Sequence, residues 1–110
     1  LLGIISSAKE EGILRSLELN GLGNVFSFVY GYETDPLKTK KFDIAMSKHG
    51  FSKTDCVFVT DTVGDVLEAR TVGIESIAVD FGYHERERLE RVKPWKIVSK
   101  LSELEKAVLQ

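Results

Sequence analysis

The sequence predicts an α/β fold with a three-layer, Rossmann-like architecture, in which helices cover both faces of a parallel sheet. Short apolar segments typical of strands alternate with amphipathic segments typical of helices along nearly the whole chain. The strand segments are continuously apolar, as expected for parallel strands that helices cover on both sides. Since the chain has 110 residues and no repeat or low-complexity tract, we expect one domain over residues 1–110.

The beginning of the chain is typical of a strand–helix–strand unit. The first strand is predicted in LLGII (1–5) and the second in VFSFVYG (25–31). In the helix between them, Ser7 and Glu10 have the spacing of a capping box, and Asn20 precedes a glycine that ends the helix.

The same alternation continues to the end of the sequence. A helix closed by Gly50 leads to a third strand, CVFVT (56–60), and a short helix closed by Gly73 leads to a fourth, ESIAVDFG (75–82). A charged helix then stops before Pro94, and KIVS is expected to form a last edge strand in front of a closing helix.

The composition excludes several classes of protein. A net charge of -2 without a basic stripe argues against a nucleic-acid partner. A single cysteine permits no internal disulfide and favours a reducing, cytoplasmic location. No apolar run approaches the ~18 residues of a membrane span. The chain opens at Leu1 in strand-like residues, without an initiator Met or a charged leader, so we expect no secretory signal and an earlier segment that is missing.

Five reactive side chains are predicted at the carboxyl ends of the strands, where open parallel sheets bind ligands. Ser6 and Ser7 follow the first strand, Lys38 opens a helix, Asp61 ends the third strand and Asp65 lies in the next helical turn. Hydroxyls, an ammonium group and helix N-termini suit a phosphate, and carboxylates suit Mg²⁺. The pattern therefore predicts a phosphate site at Ser6, Ser7 and Lys38, and a metal site at Asp61 and Asp65.

Each of these residues also has a structural interpretation. Either serine, or Asp65, could simply cap a helix. Lys38 is favoured over Lys40 and Lys41 because it lies one helical turn before the inward-facing Phe42. An acid fixed directly after a buried strand is harder to explain without a partner.

Three further residues are weaker candidates. Cys56 begins a buried strand and is expected to belong to the core. Tyr83 and His84 follow the fourth strand at the ligand-binding edge, so a minor role in substrate binding stays open.

These motifs, in this order, resemble those of the haloacid dehalogenase-like (HAD) superfamily, most of whose members are Mg²⁺-dependent phosphatases. GIISS with Ser6 is similar to the second motif, and DPLKTKKF with Lys38 is similar to the third. VFVTDTVGD, with Asp61 and Asp65, is similar to the fourth, although Thr60 replaces the usual glycine.

The first motif of the superfamily, an Asp-x-Asp whose first Asp is the nucleophile, does not occur in this sequence. In the family its strand precedes Ser6 and lies between the strands that end at Ser6 and Asp61. The resemblance therefore implies the C-terminal part of a HAD-like core that lacks its central first strand. We expect this chain to self-associate, or to pair with the missing N-terminal segment.

The resemblance also implies a mechanism. The parent protein would hydrolyse a small phosphorylated substrate through an aspartyl-phosphate. Asp61 would bind Mg²⁺, Asp65 would bind it through water or orient Lys38, and Ser6 and Lys38 would neutralise the phosphoryl oxygens. Lys38 and Asp65 are thus the candidate catalytic residues, and the chain by itself should be inactive.

Two alternatives remain. The chain could be a non-catalytic phosphate-binding or regulatory α/β module that never had the nucleophile. A receiver-type signalling domain also combines acids, a hydroxyl and a lysine, but there the acids come first and the lysine last, the reverse of this order.

Overall fold

The computed structural model describes residues 2–82 and 84–109, and it confirms an α/β fold with parallel strands. The strands are β1 (Gly3–Ile5), β2 (Phe28–Tyr30), β3 (Val57–Thr60), β4 (Glu75–Val79) and β5 (Lys96–Val98). The α-helices are α1 (Glu10–Leu19), α2 (Lys38–His49), α3 (Val63–Thr71), α4 (Arg86–Arg91) and α5 (Leu101–Leu109). A 3-10 turn at Lys53–Asp55 precedes β3. In the described residues, no helix is both long and apolar enough to cross a membrane.

The chain divides into two compact units, Leu1–Lys48 and His49–Gln110. The first contains a two-stranded sheet, β1-β2, and the second a three-stranded sheet, β3-β4-β5. In the described residues, β1 and β3 each pair with a single strand, so both are edge strands. The single domain expected from the sequence stays a prediction.

In the first unit, β1 and β2 pair in register from Gly3 opposite Phe28 to Ile5 opposite Tyr30. A side chain at Gly3 would overlap the Phe28 ring, whose atoms lie 2.0–2.3 Å from the ideal Cβ position. The Phe28 and Tyr30 rings stack with centroids 4.7 Å apart. A side chain at position 3 would therefore displace the Phe28 ring from its place across the strand.

The capping box predicted at Ser7 and Glu10 is wrong. Helix α1 begins at Glu10 after Lys9, whose side chain makes no capping hydrogen bond. The first turn is instead capped from a distant loop, because the Glu10 amide donates to Glu33 Oε1 at 2.9 Å. This amide is the main reason that the pKa of Glu33 lies below its usual value.

In the second unit, β4 lies between β3 and β5, and its residues Ile77 and Ala78 are fully buried. Val66 and Ala69 of α3 are also buried. The position of β5 at the edge of its sheet is likewise confirmed. The core of this unit is therefore built on β4.

Candidate phosphate and metal site

Ser6 directly follows β1 and is held by backbone contacts. Its amide donates to the Tyr30 carbonyl at 2.9 Å, and its hydroxyl oxygen accepts a hydrogen bond from the Ala8 amide at 3.1 Å. Ser6 is half-buried and Ser7 is exposed. The hydroxyl of Ser6 thus stabilises a tight turn after the strand, which leaves its proton available for another acceptor.

Lys41 is completely buried, although the sequence favoured Lys38 over it. Its Nζ atom donates to the Ser6 carbonyl and, at 3.4 Å, to the Gly31 carbonyl. Because these two residues follow β1 and β2 directly, one ammonium group joins the carboxyl ends of both strands. The signal was present in the sequence, since Lys41 lies on the same helical face as Phe42 and Ala45.

Lys38 begins α2 and is half-buried, whereas Lys40 is exposed. The catalytic and phosphate-binding role given to Lys38 stays a prediction. The structure does add a second lysine, Lys41, at the carboxyl end of β1.

The first turn of α1 is less open to an anion than the sequence suggested. Its first amide, that of Glu10, already donates to the Glu33 carboxylate. The Glu10 side chain in turn accepts a hydrogen bond from the Thr34 hydroxyl and, at 3.4 Å, from the Gly31 amide. Two carboxylates therefore occupy this end of the first unit, and they oppose a phosphate at the helix N-terminus through like charge.

Asp61 of the second unit directly follows β3 and Asp65 lies in the first turn of α3, as the sequence predicted. Thr60 is buried, and its hydroxyl donates to Asp65 Oδ2 at 2.7 Å and accepts from the Thr62 amide at 3.3 Å. The residue that departs from the family pattern thus orients one of the two acids. The departure at Thr60 is visible in the sequence, but no local pattern indicates this hydrogen bond.

Asp65 does not cap α3. The N-cap is Thr62, whose hydroxyl oxygen accepts from the Asp65 amide at 3.2 Å. Asp65 lies in the first turn, where its negative charge is favourable for the helix dipole. The alternative interpretation of this residue as a helix cap is therefore wrong.

Asp61 is half-buried and is bordered by the loop that follows β4. Its carbonyl accepts a hydrogen bond from the His84 amide at 3.2 Å. The same histidine accepts, at Nδ1, a hydrogen bond of 2.9 Å from the amide of Val63. The other predicted residue of this loop, Tyr83, lies outside the described residues.

The oxygen atoms around Asp61 and Asp65 fit Mg²⁺ by their chemistry. In residues 2–82 and 84–109, no group of three or more His, Cys, Asp and Glu side chains is arranged to hold a metal ion. Mg²⁺ commonly uses only one or two carboxylates and completes its shell with water and substrate phosphate. Two carboxylates that follow a parallel strand are consistent with such a shell.

Comparison with known proteins identifies the family. Residues 1–79 match the sequence model of the family described as "Haloacid dehalogenase-like hydrolase". The chain therefore belongs to the haloacid dehalogenase-like hydrolases.

The chain is also similar to individual members of that family. It is 30% identical over 109 residues to a phosphoglycolate phosphatase of Synechococcus elongatus, covering 99% of this chain and 51% of that protein. It is 26% identical over 97 residues to a phosphoglycolate phosphatase of Vibrio cholerae, covering 86% of this chain and 43% of that protein. A haloacid dehalogenase-like hydrolase of Streptococcus pneumoniae has the same fold, with a TM-score of 0.89 at 24% identity over 99% of this chain and 52% of that one. The chain thus spans about half the length of the relatives that it matches.

Proposed function

We propose that this chain is the part of a Mg²⁺-dependent phosphomonoester hydrolase that binds the phosphate and the metal ion. Family membership supports hydrolysis, and the names of two relatives support a small phosphorylated substrate such as 2-phosphoglycolate. The observation that carries the proposal is the Asp61–Asp65 segment, where one acid directly follows a parallel strand and a buried threonine orients the other. The location we propose is the cytoplasm.

In this proposal the phosphate-binding residues are Ser6, Ser7 and Lys38. The serine hydroxyls donate to phosphoryl oxygens, and the lysine balances the negative charge that these oxygens carry in the transition state. Asp61 binds Mg²⁺ directly, while Asp65 binds it through water or orients Lys38. When bound, Mg²⁺ supplies further positive charge to the phosphoryl oxygens.

The nucleophile is proposed to lie outside these residues, because they contain no Asp-x-Asp. An aspartate carboxylate there attacks phosphorus, and the bond from phosphorus to the ester oxygen breaks to release the alcohol. Water then hydrolyses the aspartyl-phosphate, which returns the carboxylate and frees inorganic phosphate. The partner that completes the enzyme is therefore a segment with an apolar strand that ends in Asp-x-Asp.

A chimera tests this proposal directly. The N-terminal part of the Synechococcus elongatus relative that this chain does not match is fused in front of Leu1, and hydrolysis of p-nitrophenyl phosphate and 2-phosphoglycolate is measured with and without Mg²⁺. We expect no turnover by the 110-residue chain and Mg²⁺-dependent turnover by the chimera. The intact relative serves as the positive control.

Matched aspartate variants of the chimera distinguish the metal site from a general charge effect. Asp61→Asn should abolish turnover, whereas Asp43→Asn, which changes an exposed acid on α2, should leave it unchanged. A folded chimera that binds phosphate without hydrolysing any ester would favour the non-catalytic module instead. Turnover by the 110-residue chain itself would contradict the proposed need for an external nucleophile.

A further inference from the structure

We propose that two residues after β4 position the Asp61 carboxylate for metal binding, with His84 as the positioning residue and Gly82 as the contact that allows it. This inference rests on the metal-binding role of Asp61 in the proposed function. It assigns a task to a histidine that lies outside the four sequence motifs of the family.

His84 contacts the backbone on both sides of Thr62, the residue that follows Asp61. Its amide donates to the Asp61 carbonyl at 3.2 Å, and its Nδ1 accepts from the Val63 amide at 2.9 Å. His84 and Val63 are 21 residues apart in sequence. The contacts of His84 therefore connect a residue after β4 to the segment after β3. One residue therefore restrains the backbone torsions that decide where the Asp61 side chain points.

The Val63 amide is the first amide of α3 and has no partner inside the helix. It donates to His84 Nδ1, so this ring nitrogen acts as the acceptor of the contact. A side chain with an acceptor at the same distance from the backbone can replace this contact, and an alanine cannot. Comparing the two replacements therefore distinguishes the contribution of the side-chain acceptor from that of the His84 amide, which both variants keep.

Gly82 supplies an independent observation at the same place. A Cβ atom on Gly82 would lie 2.4 Å from Asp61 Cβ and 2.5 Å from Asp61 Oδ2. Both distances are shorter than a van der Waals contact. The three nearest neighbours of that Cβ all belong to the Asp61 side chain. The carboxylate therefore lies against the bare backbone of Gly82, and any larger residue must displace it.

Mg²⁺ titration of the 110-residue chain, followed by NMR at the Asp61 and Asp65 amides, tests the inference. His84→Ala should weaken Mg²⁺ binding about fivefold or more, since one backbone hydrogen bond is lost. His84→Asn, whose Oδ1 can accept from Val63, should keep the affinity within about twofold. His49→Ala, at the end of α2, is the matched control and should bind as the unchanged chain does.

Hydrogen exchange at the Val63 amide gives a readout that needs no metal. It should be faster in His84→Ala and unchanged in His84→Asn. If exchange accelerates while Mg²⁺ affinity stays the same, His84 is only a helix cap and the inference is overturned. If His84→Ala and His84→Asn lose the same amount of Mg²⁺ affinity, the proposed role of Nδ1 is also contradicted.

Gly82→Ala provides the second variant, which stays informative if His84→Ala does not fold. It should weaken Mg²⁺ binding without faster exchange at Val63, and unchanged binding would show that the carboxylate does not depend on this contact. If the unchanged chain shows no Mg²⁺ response at Asp61, both this inference and the metal site of the proposed function fail. If that chain binds and His84→Ala binds equally well, only this inference fails.

Discussion

Replacing Lys41 with methionine tests whether one buried ammonium group holds β1 and β2 together. The substitution keeps most of the apolar stem and removes the donors to the Ser6 and Gly31 carbonyls. Lys41 is 0% exposed, so water cannot take over these contacts without a local opening of the structure. The result therefore depends on the hydrogen bonds more than on packing.

The loss in the free energy of unfolding depends on which carbonyl acceptor is left without a donor. The Gly31 carbonyl also accepts a hydrogen bond from the Thr34 amide at 3.2 Å, so the loss of Lys41 falls mainly on Ser6. Hydrogen bonds from charged donors contribute roughly 1.5–3 kcal/mol, and relief from burying the ammonium offsets part of this. We expect Lys41→Met to lower the free energy of unfolding by about 1–2 kcal/mol.

Two further variants separate charge from packing. Lys41→Ala also removes about three buried methylene groups, at ~0.8 kcal/mol each, and should cost about 2 kcal/mol more than the methionine variant. Lys40→Met changes an exposed neighbour and should stay within about 0.5 kcal/mol of the unchanged chain.

Urea unfolding followed by circular dichroism measures these differences, and exchange of the Ser6 amide reports locally on the bond to Tyr30. A methionine variant as stable as the unchanged chain, with Ser6 exchange unaltered, would refute the reasoning. In that case the cost of burying the charge would equal or exceed the benefit of its hydrogen bonds.

Three other substitutions have expected outcomes. Ser76 is buried and its hydroxyl has no hydrogen-bond partner in the described part of the chain, so Ser76→Ala should leave the free energy of unfolding unchanged or raise it by up to about 1 kcal/mol. Thr60→Val removes a satisfied hydroxyl and the bond to Asp65, and should lower the same quantity by about 1–2 kcal/mol in urea unfolding. The pKa of Asp80 lies below its usual value, first because the Ser99 hydroxyl donates to its carboxylate. A lowered folded-state pKa gives stability that is present above the unfolded value of about 3.9 and is lost as the pH falls through the folded one. Ser99→Ala should therefore raise the pKa of Asp80 in an NMR titration and reduce this acid-dependent loss; an unchanged pKa would contradict it.

The α/β class and most of the element order could be predicted from the residues alone, because those signals are local. Apolar runs, helical periodicity and glycines at helix ends predicted β4, α3 and the turn at Gly73, whose φ of 80° only glycine adopts readily. The order of the motifs also indicated the family, which the match over residues 1–79 then established. The position of Asp61 directly after β3 and that of Asp65 in the first turn of α3 followed from the same pattern.

The way in which the individual side chains of the site are held could be learned only from the folded molecule. Lys41 and Ser6 are separated by 35 residues, His84 and Val63 by 21, and Glu33 and Glu10 by 23. Local periodicity can place a lysine on the inward face of a helix, yet it contains no information about which carbonyl that side chain reaches. That choice depends on how strands and loops distant in sequence pack, because a buried donor must find its acceptor across the fold.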